Sequence, residues 1–208
     1  IMNVKSFESG ADIEEILGRL GKRMLYAGLE PVSLVVCGGS ALNVLNLAER
    51  PTGDVDVLAM VEELPGGRIK LVQPKTLPKV FRTAVSHVAA DMGLPEDWLN
   101  MGPVRVLDWG EPDGFCDRLV KKEYGPCLAI YYVGRLDQIH FKLLASLDPK
   151  DGARHMEDLV KRLKPTGAEL EQAAEWLLKK NKKKNFLEGL KNIISGLGHD
   201  DISNRLPA

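Results

Sequence analysis

No apolar run in the chain approaches the ~20 residues that a membrane-spanning helix requires. Cysteine is scarce and odd in number: Cys37, Cys116 and Cys127 show no C-x-x-C spacing. A disulfide framework and a zinc site are therefore not expected, and a reducing compartment fits better. An excess of one charge is also lacking. Lys and Arg number 28 against 29 Asp and Glu, for a net charge of −1. No global field draws such a chain to nucleic acid or to an anionic membrane, so binding of that kind needs a local patch. The amino end has no signal-peptide pattern, and a cytoplasmic protein without membrane attachment is expected. His87, His140, His155 and His199 have no metal-ligand spacing. Ser40 lies outside any G-x-S-x-G pattern, which leaves hydrolase chemistry without support.

What is present suits a folded protein with a real core. Hydrophobic residues make up 44% and charged residues 27% of the 208, enough for one domain, or one domain with a small appendage. Aromatics are only 6%, and Trp98, Trp109 and Trp176 read first as packing residues.

Periodicity predicts the elements. Residues 8–29 form an amphipathic helix, with Ile13, Ile16, Leu17, Leu20, Met24 and Leu25 at helical spacing and Ser9 or Asp12 as cap. Residues 33–37 read as a buried strand, 40–49 as a helix, 54–60 as a second strand and 68–73 as a third. A helix follows at 77–93, with Val80, Phe81, Ala84, Val88 and Met92 on one face, then a compact turn at 94–100. Further strands are predicted at 104–108 and 126–134, and further helices at 136–147, 151–163, 168–181 and 186–198. The polar tail is expected to fray. The order predicts an α/β (α+β) fold: a mixed sheet flanked by helices, with a helical C-terminal part. Residues 1–134 are taken as the core and 135–208 as the helical region.

The stretch "VVCGGSALNVLNLAERPTGDVDVLAM" (35–60) carries the chemistry. A glycine pair after a buried strand lets backbone approach a ligand closely, and the helix that follows presents free N–H groups. Gly38, Gly39 and Ser40 can thus cradle an anion, though such turns are also common as plain structure. Asp54 and Asp56 alter that balance. In a strand, residues i and i+2 share a face, so both carboxylates converge, which is unfavourable unless a cation bridges them. Mg²⁺ suits one or two carboxylates plus phosphate oxygens. A phosphate cradle beside such a pair is a workable centre for phosphoryl or nucleotidyl transfer.

Gly-Gly-Ser, a short helix, then Asp-Val-Asp within apolar flanks resembles the hallmark of the DNA polymerase β-like nucleotidyltransferase superfamily. "RPTGDVDV" is similar to its small prokaryotic branches. "FKLLAS…DGARHMEDLVKRLKP" resembles a segment of the AbiEii/MenA-type toxin nucleotidyltransferases. Together these stretches cover roughly residues 33–165. The resemblance implies a minimal nucleotidyltransferase core and a transfer of NMP from an NTP. The acceptor would be RNA such as tRNA, a protein or a small molecule, and the chain a toxin of a toxin–antitoxin system with an antitoxin protein as partner. It implies that Asp54 and Asp56 bind Mg²⁺, and that Gly38, Gly39 and Ser40 hold nucleotide phosphates. It further implies that Lys142 contacts the triphosphate, and that Asp158 matches a catalytic acidic residue. Arg50 would orient Asp56 or touch the nucleotide. Lys142 and Asp158 also read plainly as surface residues of a helix.

One departure stands out. Many members carry a third carboxylate on a later core strand, and "CLAIYYV" has none; Asp108 is the nearest candidate. A catalytically silent nucleotide-binding or scaffold module is therefore the alternative. A third reading is an RNA-binding adaptor acting through the basic run "KKNKKKN" (179–185), which is equally a solvated helix end.

Overall fold

The computed structural model describes residues 6–49 and 51–207. The chain divides into two compact units. The first takes the chain up to Asp108 together with Gly114–Gly134; the second takes Trp109–Asp113 and the chain from Arg135 onward. The described residues form eight α-helices and one six-stranded mixed sheet, an α/β (α+β) architecture. None of the helices among them is long and apolar enough to cross a membrane.

In the first unit, α1 (Gly10–Tyr26) starts in a capping box. Ser9 accepts from the Asp12 N–H, and the Asp12 carboxylate accepts from the Ser9 N–H. That reciprocal pair satisfies donors the helix cannot satisfy itself. Ile13, Ile16, Leu17, Leu20 and Met24 are buried, whereas Leu25 is 48% exposed because it lies one position round from that face. The same holds for α3 (Lys79–Met92), where Phe81, Ala84, Val85, Val88 and Ala89 are buried and Val80 faces out. Both helices share one hydrophobic cluster with the sheet residues Leu34, Val36, Val55, Val57, Ile130 and Tyr132. Each such side chain contributes about 1.5–3 kcal/mol when fully buried.

The sheet runs in the order β3 (Ile69–Val72), β2 (Val55–Glu63), β1 (Val32–Cys37), β6 (Leu128–Tyr132), β5 (Val120–Glu123). A two-residue strand, β4 (Leu99–Asn100), pairs in parallel with the start of β2, opposing Asn100 to Asp56. Strands β1 and β2 are antiparallel, with Cys37 opposite Asp56 and Val36 opposite Val57, and then a register shift that sets Val35 against Ala59. Leu58 is the extra residue. Such a bulge re-aims the side chains on either side of it, and this one falls two residues beyond Asp56.

Three predicted elements differ, and one strand was not predicted. Residues 104–108 are not a strand. They belong to a 3₁₀ helix, Gly102–Trp109, whose start holds Pro103, a residue with no N–H to give a ladder. The helix expected at 40–49 is α2 (Gly38–Val44), and it ends before Asn46, which takes a left-handed φ of 56°. The compact turn at 94–100 ends in β4. Strand β5 escaped notice because "VKKE" is mostly exposed and lysine-rich, as edge strands often are.

The second unit is helical: α4 (Arg135–Ala145), α5 (Gly152–Asp158), α6 (Gly167–Lys180), α7 (Lys184–Gly196) and α8 (Asp200–Arg205). A π-helical turn, Leu159–Leu163, extends α5 and closes at Lys164, which has a φ of 44°. Helix α6 has its own capping box between Thr166 and Glu169. Much of the described polar tail is helical. It forms α8, with Ile202 buried and the Ser203 hydroxyl donating to the Lys191 carbonyl at 3.1 Å.

Candidate functional site

Strand β1 delivers the chain to Gly38, whose φ of +73° is open to glycine and costly for other residues. A β-carbon placed there would lie 2.5 Å from Oδ2 of Asp56, inside any real contact. The glycine turn and the aspartate pair therefore meet. Antiparallel pairing of β1 with β2 causes this, because Cys37 and Asp56 are ladder partners. Asp54 lies just ahead of β2 rather than within it. Its Oδ1 accepts from Thr52 Oγ1 at 3.3 Å and its Oδ2 from Asn100 Nδ2 at 3.5 Å. The loop carrying them is pinned by Phe7 and Thr52, which exchange both backbone hydrogen bonds at 2.8 and 3.0 Å.

Two residues join this site that the sequence did not announce. Asn100 stands beside Asp56 across the β2–β4 ladder. Gly102 follows it, and a β-carbon there would lie 3.0 Å from Asn100 Oδ1 and 3.9 Å from Asp56 Oδ1. Asp56 is thus bordered by a glycine at each carboxylate oxygen. Nothing in the pattern "WLNMG" signals this, since a two-residue strand has no periodicity.

The other predicted phosphate ligands are placed differently. Helix α2 begins at Gly38, is seven residues long and has no side-chain cap. Its dipole is correspondingly that of a short helix. Ser40 is buried, and its hydroxyl donates back to the Cys37 carbonyl at 3.3 Å. Gly39 is buried as well. Arg50 lies outside the described residues. Asp108 is exposed on the 3₁₀ helix, not on a core strand.

In the second unit, α4 and α5 bring Lys142 and Asp158 together. Lys142 Nζ lies 2.8 Å from Asp158 Oδ2, and Arg162 Nη1 lies 2.6 Å from Oδ1. The Lys142 contact has the orientation of an ion pair rather than of an aligned hydrogen bond. Asp158 is wholly buried and Lys142 nearly so, so neither is the helix-surface residue that a bland reading suggests. His155 Nδ1 is 3.4 Å from Lys142 Nζ. Burial, and then the positive charges of Lys142 and Arg154, push the imidazole down to about 4. The π turn begins directly after Asp158; such turns are frequent at functional sites.

The three tryptophans pack within their own units. Trp98 is fully buried, and its Nε1 donates to Val85 O at 3.2 Å. Trp109 stacks on Phe186 at 5.3 Å, and Trp176 Nε1 donates to Gly110 O at 3.1 Å. The basic run is partly neutralised: Lys179 pairs with Asp113 at 2.8 Å and Lys184 with Glu188 at 3.8 Å.

The donor set at Asp54, Asp56 and Asn100 consists of oxygen atoms, with glycines keeping space beside it. That fits a hard divalent cation such as Mg²⁺, which takes one or two carboxylates and completes its shell elsewhere. Among the described residues, no group of three or more His, Cys, Asp or Glu is placed to hold a metal. No protein-family model, no curated protein and no solved structure matches the chain.

Proposed function

We propose that the chain is an Mg²⁺-dependent nucleotidyltransferase that moves an NMP from an NTP to an acceptor hydroxyl on RNA, protein or a small molecule, as the toxin of a toxin–antitoxin pair. One observation carries most of the support: Gly38 abuts the Asp56 carboxylate so closely that a β-carbon would lie 2.5 Å from it. Two motifs separated in sequence thereby share one location.

A bound divalent ion would withdraw charge from the α-phosphoryl group. The protein's part is to hold the ion's ligands and the phosphates in line. Asp54 is steadied by Thr52 and Asn100, and Gly38 lets the Asp56 carboxylate come up against the turn where a side chain would stand. The acceptor oxygen bonds to the α-phosphorus, the bond to the bridging oxygen breaks, pyrophosphate leaves, and the hydroxyl proton passes to solvent. Such chemistry is mostly positioning and electrostatics. The resemblance also implies a triphosphate contact for Lys142.

The test is label transfer. Protein with Mg²⁺ and each α-labelled NTP is incubated against total RNA and lysate protein. Transfer that disappears in Asp54→Asn and Asp56→Asn supports the reading, and no transfer depending on either residue sinks it. A second reading, a nucleotide-binding module without turnover, is favoured by β6, whose sequence LAIYY carries no carboxylate. Calorimetry with NTP, with and without Mg²⁺, separates the two. Tight binding without turnover selects the silent module, and no binding removes both.

A further inference from the structure

We infer that Asn100 is the third member of the metal site, a positioning residue that keeps the site at two negative charges instead of three, so that the metal is taken up with the nucleotide rather than held beforehand. This deepens the nucleotidyltransferase reading and rests on it.

The amide of Asn100 has one orientation that satisfies its neighbours. Nδ2 faces two acceptors, Asp54 Oδ2 at 3.5 Å and the Asp97 carbonyl at 3.4 Å. Oδ1 faces a donor, the Gly102 N–H, at 2.7 Å. Flipping the amide would set donor against donor and acceptor against acceptor. An aspartate has the same shape but no N–H. At position 100 it would turn an oxygen toward both the Asp54 carboxylate and the Asp97 carbonyl, a repulsive contact unless a cation lies between. Asparagine is therefore the residue that lets this corner fold without metal.

The geometry also places Asn100 where a third ligand belongs. Partners on paired strands project to one face, and Asn100 is the ladder partner of Asp56. Its Oδ1 and the Asp56 Oδ1 border the same space beside Gly102. An amide oxygen can contribute to a hard-cation shell but adds no charge. With two formal charges, the protein alone attracts a divalent ion weakly. A triphosphate supplies the remaining oxygens and charge.

The experiment is a Mn²⁺ titration followed by electron paramagnetic resonance, on the full chain, with and without a non-hydrolysable NTP analogue. The wild type should bind Mn²⁺ alone weakly and at least about tenfold more tightly with the analogue. Asn100→Asp should bind Mn²⁺ alone at least about tenfold more tightly than wild type, because a third carboxylate joins the shell. It should also melt lower without metal and recover when Mn²⁺ is added. Asn100→Ala, folded by circular dichroism, should lose several-fold in analogue-dependent Mn²⁺ binding as Asp54 loses its tether. Unchanged Mn²⁺ affinity in both variants overturns the role of Asn100. Asp54→Asn and Asp56→Asn keep the underlying reading distinguishable. If they too leave the wild-type binding unaltered, the metal site itself is wrong and both ideas fall.

Discussion

Asp54 and Asp56 are like charges two residues apart at the entry to β2, with Gly38 and Gly102 against the Asp56 carboxylate. Lys142, Asp158 and Arg162 are opposite charges closed on one another inside a helical unit. The first set gains little by itself. Asp54 meets the neutral donors Thr52 and Asn100. The second set is compensated within the protein and is costly to open. On the proposed reading the first cluster serves a ligand, while the second is already compensated inside its own unit. Motif spacing alone does not separate them.

The sharpest way to break the comparison is to neutralise each set. Asp56→Asn should lower NMP transfer by about 10³-fold, because the charge that holds the metal is halved. Its stability, read by urea denaturation, should stay within about 1 kcal/mol of wild type, since the amide keeps the shape of the carboxylate at a half-buried position. Lys142→Met should do the reverse for stability, with a loss of about 3 kcal/mol as the buried Asp158 carboxylate loses one of its cations. Adding Asp158→Leu should restore much of that loss, since the buried charge then disappears. If Lys142→Met unfolds at the wild-type urea midpoint, the ion pair is not structural and the contrast collapses.

Much of the fold was readable because burial leaves a period. The continuous apolar run in "SLVVC", the alternation that opens "DVDVLAM", and the 3.6 spacing in α1, α3 and α6 come from surfaces that must be apolar. The candidate site was half readable. Gly38, Asp54 and Asp56 announce themselves together, because paired carboxylates are unusual beside a buried strand and the glycine turn gains meaning from them. Asn100 and Gly102 do not. They reach Asp56 only through the β2–β4 ladder, which is two residues long. The bulge at Leu58 was equally hidden, as Val57, Leu58 and Ala59 are all fully buried. The burial of Ser40 and Lys142 was also beyond reach, for it depends on neighbours distant in sequence.

His155 sharpens the contrast by pH. Its ring sits beside Lys142, and burial with the charges of Lys142 and Arg154 holds it at about 4, below the ordinary 6.5. Above 6.5 the ring is neutral in both folded and unfolded chains. Between 6.5 and about 4 the unfolded chain takes up a proton that the folded chain refuses. Stability should therefore fall as pH drops through that window and level off below it. The ring is only half buried, so solvent screening reduces the effect to about 1–2 kcal/mol. Denaturation at pH 7 and pH 5 should show the fall in wild type and a flatter response in His155→Gln. An identical slope in both would mean that the imidazole does not sense its cationic neighbours.

The smallest effect on stability, and the most telling about the site, is expected at glycine. Gly38→Ala forces a β-carbon into a left-handed φ, which costs about 1 kcal/mol. The atom it meets is Asp56 Oδ2, the end of a short side chain that can rotate. The fold should survive with that modest loss, while the carboxylate turns away and metal-dependent nucleotide binding drops far more than stability does. Gly189, in the second unit, is the control. A β-carbon there would lie 3.2 Å from Leu147 Cδ2, with no charged group nearby in that contact. Gly189→Ala should change stability by a similar small amount through packing and leave nucleotide binding untouched. Calorimetric NTP titrations of the two variants decide the matter: equal binding in both would mean that Gly38 serves the turn alone and that its contact with Asp56 has no part in holding a ligand.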